Sequence, residues 1–380
     1  MTTHADVLSA LSSALGPVTL VSRLHEPRLR IPPSLAAAFL PDLHLTSDEA
    51  AQNFKGYCFR PELRRTLGGL MQALDTLPDL VKVQLGDRYD LWREESVDRE
   101  KGGAPRAVPE MIAEIRQDHG SSVERLDSSH GWKFLAGNHD EKLSCRGGDD
   151  AFRDAEELLP LGATAAGAKD PAILVTHGDT FDPVELLPTS FKKGILHATG
   201  KFVSEATTGI SRDPSRLRVA RSIGPISSAT FEPYVPPFPI QKRPKLPAVS
   251  SEVDVASTTD GPTFNVVGYP PEGYWAEGPD QAVLTFLKTA RRRSRTMVEL
   301  LRLALPAPKL CVIGHTHSPR LILTLREDEM TPFVLMDCGA WVGQCRYTPA
   351  MEHKRRAFRS AQMGVVVGCD LRIYQLPSEG

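Results

Sequence analysis

The residues with most chemical reach come in five short groups, each placed just after an apolar run. Asp42 and His44 form an Asp-x-His pair after Ala36–Leu40. Alternation along an extended segment puts both on one side, where a carboxylate oxygen and an imidazole can grip one metal ion. Asp87 and Asp90 follow Gly86 in the stretch VKVQLGDRYDLW, where a short strand stops at a glycine turn. Asn138 and His139 follow WKFLAG; an Asn amide oxygen can ligate a cation, and the neighbouring imidazole can act as an acid or base. His177 lies just past the strand in AILVTHGDTFD, and His315 and His317 alternate after the strand and glycine of KLCVIGHTHSP. A single Gly-Asp turn says little, because acidic residues cap turns everywhere. The recurrence of the same arrangement at five strand ends is what points to a metal site.

Such a site needs a scaffold that brings five strand ends to one place. Residues 54–77 carry Leu63, Leu67, Leu70 and Leu74 at helical spacing, with Pro61 suited to the helix start and Pro78 ending it. A strand on either side makes a strand–helix–strand unit, which predicts an α/β fold with a parallel sheet. In such sheets ligands bind in the crevice beyond the carboxyl ends of the strands. Residues 1–34 read as an N-terminal extension, with a helix at 5–15 and a strand at 18–22, packed on the edge of a main domain at 35–380. Residues 93–107 are charged, contain Gly102, Gly103 and Pro105, and read as a loop; 108–117 read as a helix. The apolar stretches 333–342 and 363–369 read as strands of a second sheet. Residues 183–306 read as an insertion or cap, Pro-rich in the middle, with helices expected at 191–206 and 282–303. The second of these carries Lys288, Arg291, Arg292, Arg293 and Arg295.

The 380 residues are 41% hydrophobic and 24% charged, an ordinary balance for a globular chain with room for a full core. A net charge of −2 does not support a broad nucleic-acid footprint. The six cysteines are scattered without a CxxC pair, which fits a reducing compartment better than a disulfide framework. No signal peptide and no bilayer-spanning apolar run are read, so the expectation is a cytoplasmic protein without integral membrane association.

The ordered blocks GDRYD, GNHD, THGD and GHTHSP resemble the calcineurin-like metallophosphoesterases over about residues 36–342, with the insertion unmatched. Pro41 stands before Asp42 where that family more usually has a small residue. The blocks are most similar to the branch that contains the UDP-2,3-diacylglucosamine pyrophosphohydrolases. The resemblance implies a four-layer α/β/β/α sandwich and two divalent metal ions. By position Asp42, His44, Asp87 and His317 would hold one ion, and Asp87, Asn138, His177 and His315 the other, with Asp87 bridging. Two cations about 3.5–4 Å apart can share a hydroxide that attacks phosphorus in line. His139 would then protonate the leaving group, oriented by Asp90. Mixed nitrogen and oxygen ligands suit manganese first, then iron or zinc, over calcium. The implied activity is hydrolysis of a phosphodiester or pyrophosphate substrate. Two alternatives are a nuclease acting on DNA or RNA, which lacks an aromatic-interleaved basic groove in this sequence, and a scaffold that kept the fold and lost catalysis.

Overall fold

The structure, a computed structural model, describes residues 1–53, 59, 61–104, 106–140, 158–163, 171–179, 263–267, 310–315, 317, 319–326, 329–342 and 361–377. In chain order its strands are β1 (Thr19–His25), β2 (Ala36–Leu40), β3 (Val81–Gln84), β4 (Trp132–Phe134), β5 (Leu158–Ala163), β6 (Pro171–Thr176), β7 (Thr263–Val267), β8 (Leu310–Ile313), β9 (Arg320–Arg326), β10 (Glu329–Asp337), β11 (Gln362–Val367) and β12 (Asp370–Gln375). The helices are α1 (His4–Leu15), α2 (Asp48–Asn53), α3 (Arg64–Asp75), α4 (Leu91–Glu100), α5 (Val108–His119) and α6 (Ser121–Glu124). The chain is thus a mixed α/β fold, as its strand–helix–strand pattern predicts. It has two mixed sheets, ordered β1-β12-β11-β2-β3-β4 and β5-β6-β8-β10-β9-β7.

Burial explains the arrangement. β2 reads AAAFL and is buried along its whole length, as expected of a strand covered on both faces. Ala36, Ala38 and Leu40 pack with Leu67, Leu70 and Met71 of α3, Val7 and Leu11 of α1, and Ile112 of α5. Ala37 and Phe39 point the other way, into a second core shared with Ile173 and Val175 of β6, Val312 of β8 and Met336 of β10. The period-two alternation of one strand therefore separates a helix-facing core from a sheet-facing core. α1 begins with a capping box in which Thr3 and Asp6 satisfy each other's backbone N–H. It packs on α3, while β1 pairs antiparallel with β12, so residues 1–34 contribute both a helix and the edge strand of the first sheet.

Two expectations are corrected. The strand at 363–369 belongs to the first sheet: β11 pairs antiparallel with β2, Gly364 opposite Phe39 and Val367 opposite Ala36. It also forms a hairpin with β12 through a turn at Gly368. An apolar run signals burial but does not name the strand it pairs with. The charged stretch 93–107 is helical as far as Glu100, because Leu91 and Val97 face the interior and the remaining Arg and Glu residues are good helix formers. Gly102 then carries the chain through a left-handed turn. Most of the expected insertion, including both of its helices and the basic run from Lys288 to Arg295, lies outside the described residues. Among the described residues no helix is long and apolar enough to cross a membrane.

The sheet interface is tight at Gly364. A Cβ there would press on Cys338 Sγ and Met336 Cε from the opposite sheet. Gly364→Ala is expected to lower stability by about 1–3 kcal/mol through overpacking. Adding Cys338→Ala should recover part of that loss, read as the shift in denaturation midpoint.

Candidate metal centre

The parallel strands β2, β3 and β4 of the first sheet and β6 and β8 of the second are followed directly by the candidate residues. The loops are stitched to one another by backbone bonds. Leu43 N and His44 N donate to Asp87 O, Leu45 N to Arg88 O, Leu135 N to Gln84 O and Gly314 N to His177 O. Trp341 N donates to Asp42 O, and the neighbouring Ala340 forms a parallel bridge with Asp42, tying the end of β10 to the first sheet. Six of the described non-glycine residues have left-handed backbones, and four of them lie in these loops: His44 (φ 48°), Asp87 (φ 50°), His315 (φ 62°) and His317 (φ 55°). Such conformations cost roughly 1–3 kcal/mol each and persist where the surroundings over-determine them. Here the four are all candidate ligands. Gly137 and Gly314 allow the close approach, since a Cβ on either would strike the carboxylate of Asp87 or Asp42 respectively.

Three clusters result, each with candidate ligand atoms within 4.8 Å of one another: Asp42, His44 and His317; Asp87, His177 and His315; and His44, Asp90 and His139. In the first, His317 Nε2 lies 3.0 Å from Asp42 Oδ2 and 3.1 Å from His44 Nε2. In the second, His177 Nε2 lies 3.4 Å from Asp87 Oδ2 and 3.3 Å from His315 Nδ1. His44 Nε2 is 3.5 Å from Asp87 Oδ2, so the same carboxylate oxygen faces both clusters. Asp42 also accepts from His315 N at 2.8 and 3.0 Å. In the third cluster Asp90 lies 3.0 Å from His139 Nδ1 and 3.3 Å from His44 Nδ1, and accepts from Arg93 Nε at 2.7 Å. Asp42, His44, Asp87, Asp90, His139, His177, His315 and His317 are therefore brought together. Asn138 opens a short turn, Asn138–Asp140, on the same rim, and its side chain lies outside the described residues.

The donor geometry fits a cation. A carbonyl oxygen only accepts, so the 2.9 Å contact of His177 Nδ1 with Leu85 O puts the ring proton on Nδ1. The lone pair on Nε2 then faces the Asp87 carboxylate. Likewise His44 Nδ1 faces Asp90, which leaves its Nε2 lone pair aimed at Asp87 and at His317. Lone pairs aimed at a carboxylate oxygen repel unless a proton or a metal ion sits between them. Buried His/Asp clusters of this kind can hold metal ions.

Without a cation, protons fill this role. Burial disfavours charge on His177, but Asp87 and Asp42 outweigh it and raise its pKa well above the usual imidazole value. Asp87 is opposed by burial in the same way, yet His177 and His139 hold it well below the usual carboxylate range. Burial also opposes ionisation of Asp90, and His139 and Arg93 pull it down. His139 is raised, with burial overcome by Asp90 and Asp87. His44 is lowered, by burial and then by the charge of His139.

Asp140 is a residue the five polar groups do not single out. It is fully buried and accepts from Gly137 N, Arg88 N and Tyr89 N, at 3.2, 3.2 and 3.3 Å. Its carboxylate thus joins the loop after β3 to the loop after β4. Burial and the nearby Asp87 raise its pKa to about 7. Its sequence signal is its place beside His139, as the last residue of the GNHD block.

Because His177 holds a proton that a ligand must release, metal binding and protonation compete. Metal affinity is expected to rise with pH through the raised His177 range. Binding should release protons below it, read as an enthalpy that depends on the ionisation heat of the buffer in titration calorimetry. An enthalpy independent of the buffer would place the binding elsewhere. A scan against protein-family models finds no match for the chain, and no curated protein matches it; the buried imidazole and carboxylate clusters are compatible with a metal-dependent hydrolase.

Proposed function

We propose that the protein is a phosphoesterase of the calcineurin-like metallophosphoesterase type, with a dinuclear metal centre that hydrolyses a phosphodiester or pyrophosphate bond. The observation that carries this reading is the His139–Asp90 pair beside two ligand clusters that share one oxygen of Asp87. Two facing mixed sheets with helices outside the first support the sandwich architecture that the motifs imply. Asp42, His44, His317 and Asp87 would hold one divalent ion. Asp87, His177, His315 and Asn138 would hold the other. Manganese suits this mixed donor set first, and iron or zinc next. When bound, two such ions supply a water activated for attack and offset the negative charge of the phosphate.

The chain's own residues account for the rest. Asp90 Oδ1 lies 3.0 Å from His139 Nδ1, and Nε2 is turned toward the centre, 4.0 Å from Asp87 Oδ2. His139 is protonated more readily than a free imidazole, and a proton on Nε2 is placed to pass to the departing oxygen. Asp90 touches no reacting atom; it fixes the ring and its charge. Neither His139 nor Asp90 is among the residues assigned to the two ions, and an imidazole paired with a carboxylate beside them supports turnover.

The test is metal content and activity of the full chain with manganese, on a phosphomonoester and a phosphodiester. The wild type should bind about two ions per chain and turn over the diester. Asp87→Asn should lose both metal and activity. His139→Gln should keep the metal and lose about 10²–10⁴-fold in kcat. The loss should be smallest with a nitrophenolate leaving group, which needs no proton. Two bound ions without turnover of any ester would favour the scaffold, and no bound metal would remove the proposal.

A further inference from the structure

α4 turns an acidic stripe inward. Asp90, just before the helix, and Glu94 and Asp98 within it are spaced four apart and so share one face. All three are buried. Buried carboxylates are costly unless each is paired, so their partners show what the stripe is for. Asp90 meets His44, His139 and Arg93, as described. Glu94 accepts from Ser47 N at 2.6 Å, from Ser47 Oγ at 3.0 Å and from Arg106 Nη2 at 3.0 Å. Asp98 accepts from Arg106 N and Nε, both at 2.8 Å, and Arg106 also reaches Glu114 of α5.

His44 and Ser47 are three residues apart on the loop leaving β2, and the carboxylates that grip them are four apart on one helix face. The loop is therefore held at two points by a rigid element. At the first of those points His44 adopts its left-handed backbone, and between the two Thr46 O accepts from His119 Nε2 at 2.8 Å. Beyond them Ser47 Oγ accepts from Ala50 N, and Ser47 O from Ala51 N, so the same residue starts α2.

We propose that Glu94 is a positioning residue for the metal cluster of Asp42, His44 and His317, acting through Ser47 to hold the left-handed turn that aims His44. The inference rests on reading that cluster as a metal site. Glu94 touches neither ligand nor substrate, and its effect falls mainly on the ion of His44, because His177 and His315 lie on other loops and only Asp87 is shared.

The test titrates manganese into the metal-free full chain of wild type, Glu94→Ala, Glu94→Gln and Ser47→Ala, with a thermal melt of each. The wild type should bind two equivalents. Glu94→Ala should weaken one equivalent by about tenfold, the low end for residues that support a ligand, and the other by less. Glu94→Gln, whose amide oxygen still accepts from Ser47 N, should recover most of that loss. Ser47→Ala should shift the same equivalent by less, and it decides the matter if Glu94→Ala does not fold. Variants that melt earlier but bind both equivalents as the wild type does would overturn the positioning role, as would equal weakening of both. A wild type that binds no manganese would instead remove the metal reading itself, an outcome distinct from either.

Discussion

A carboxylate removed from water must find compensating charge, and the site depends on how Asp87 finds it. Its side chain is 2% exposed, and burying an unpaired charge costs several kcal/mol even after relaxation. The compensating charge comes from His139, on the loop after β4, and His177, at the end of β6 in the other sheet, while His44 turns its ring to the same carboxylate from the loop after β2. Asp87 Oδ1 also accepts from His139 N at 2.8 Å, and its backbone oxygen accepts from Leu43 N and His44 N. One residue thus sets the spacing of four strand ends, and its neighbours carry the positive charge that its burial requires.

The rigidity behind this spacing lies in the strands. β2 and β8 are buried along their whole length, and the two sheets share a core that includes Phe39, Val83, Val312 and Met336. Side chains projected from the ends of such strands are held more closely than side chains on free loops. Contacts between the sheets then close the rim: His177 Nδ1 with Leu85 O, and Trp341 N with Asp42 O. The strained backbones of His44, Asp87, His315 and His317 are tolerable because bonds of this kind fix them from several sides.

How much of this was legible in the sequence varied with the physical signal. The ends of β2, β3, β6 and β8 stand out because an apolar run or apolar alternation that stops at a glycine or a polar pair marks a buried strand entering a loop. α3 stood out through its leucine spacing. The partner of β11 did not, because apolar character records burial and not pairing. The charges of α4 suggest a solvated loop, whereas its acidic face is turned inward and paired with Arg93, Arg106, Ser47 and two imidazoles. The four-residue spacing of Asp90, Glu94 and Asp98 was visible, but a solvated face would show the same spacing. Asp140 was harder still, since its role consists of backbone N–H groups that come from residues about fifty positions earlier.

The environment also separates the two imidazoles that meet at Asp90. His44 and His139 both turn Nδ1 toward Asp90, so each presents Nε2 to the centre. Their pKa values are driven in opposite directions: burial and the charge of His139 lower His44, while Asp90 and Asp87 overcome burial to raise His139. A lowered pKa keeps the lone pair of His44 free, as a metal ligand needs. A raised pKa lets His139 hold a proton more readily, as the proposed acid would need. Titratable neighbours whose surroundings push them apart are the physical basis for assigning opposite roles. Asp90 can serve both because each of its oxygens meets a different ring, and the Arg93 guanidinium helps keep it ionised while it does so.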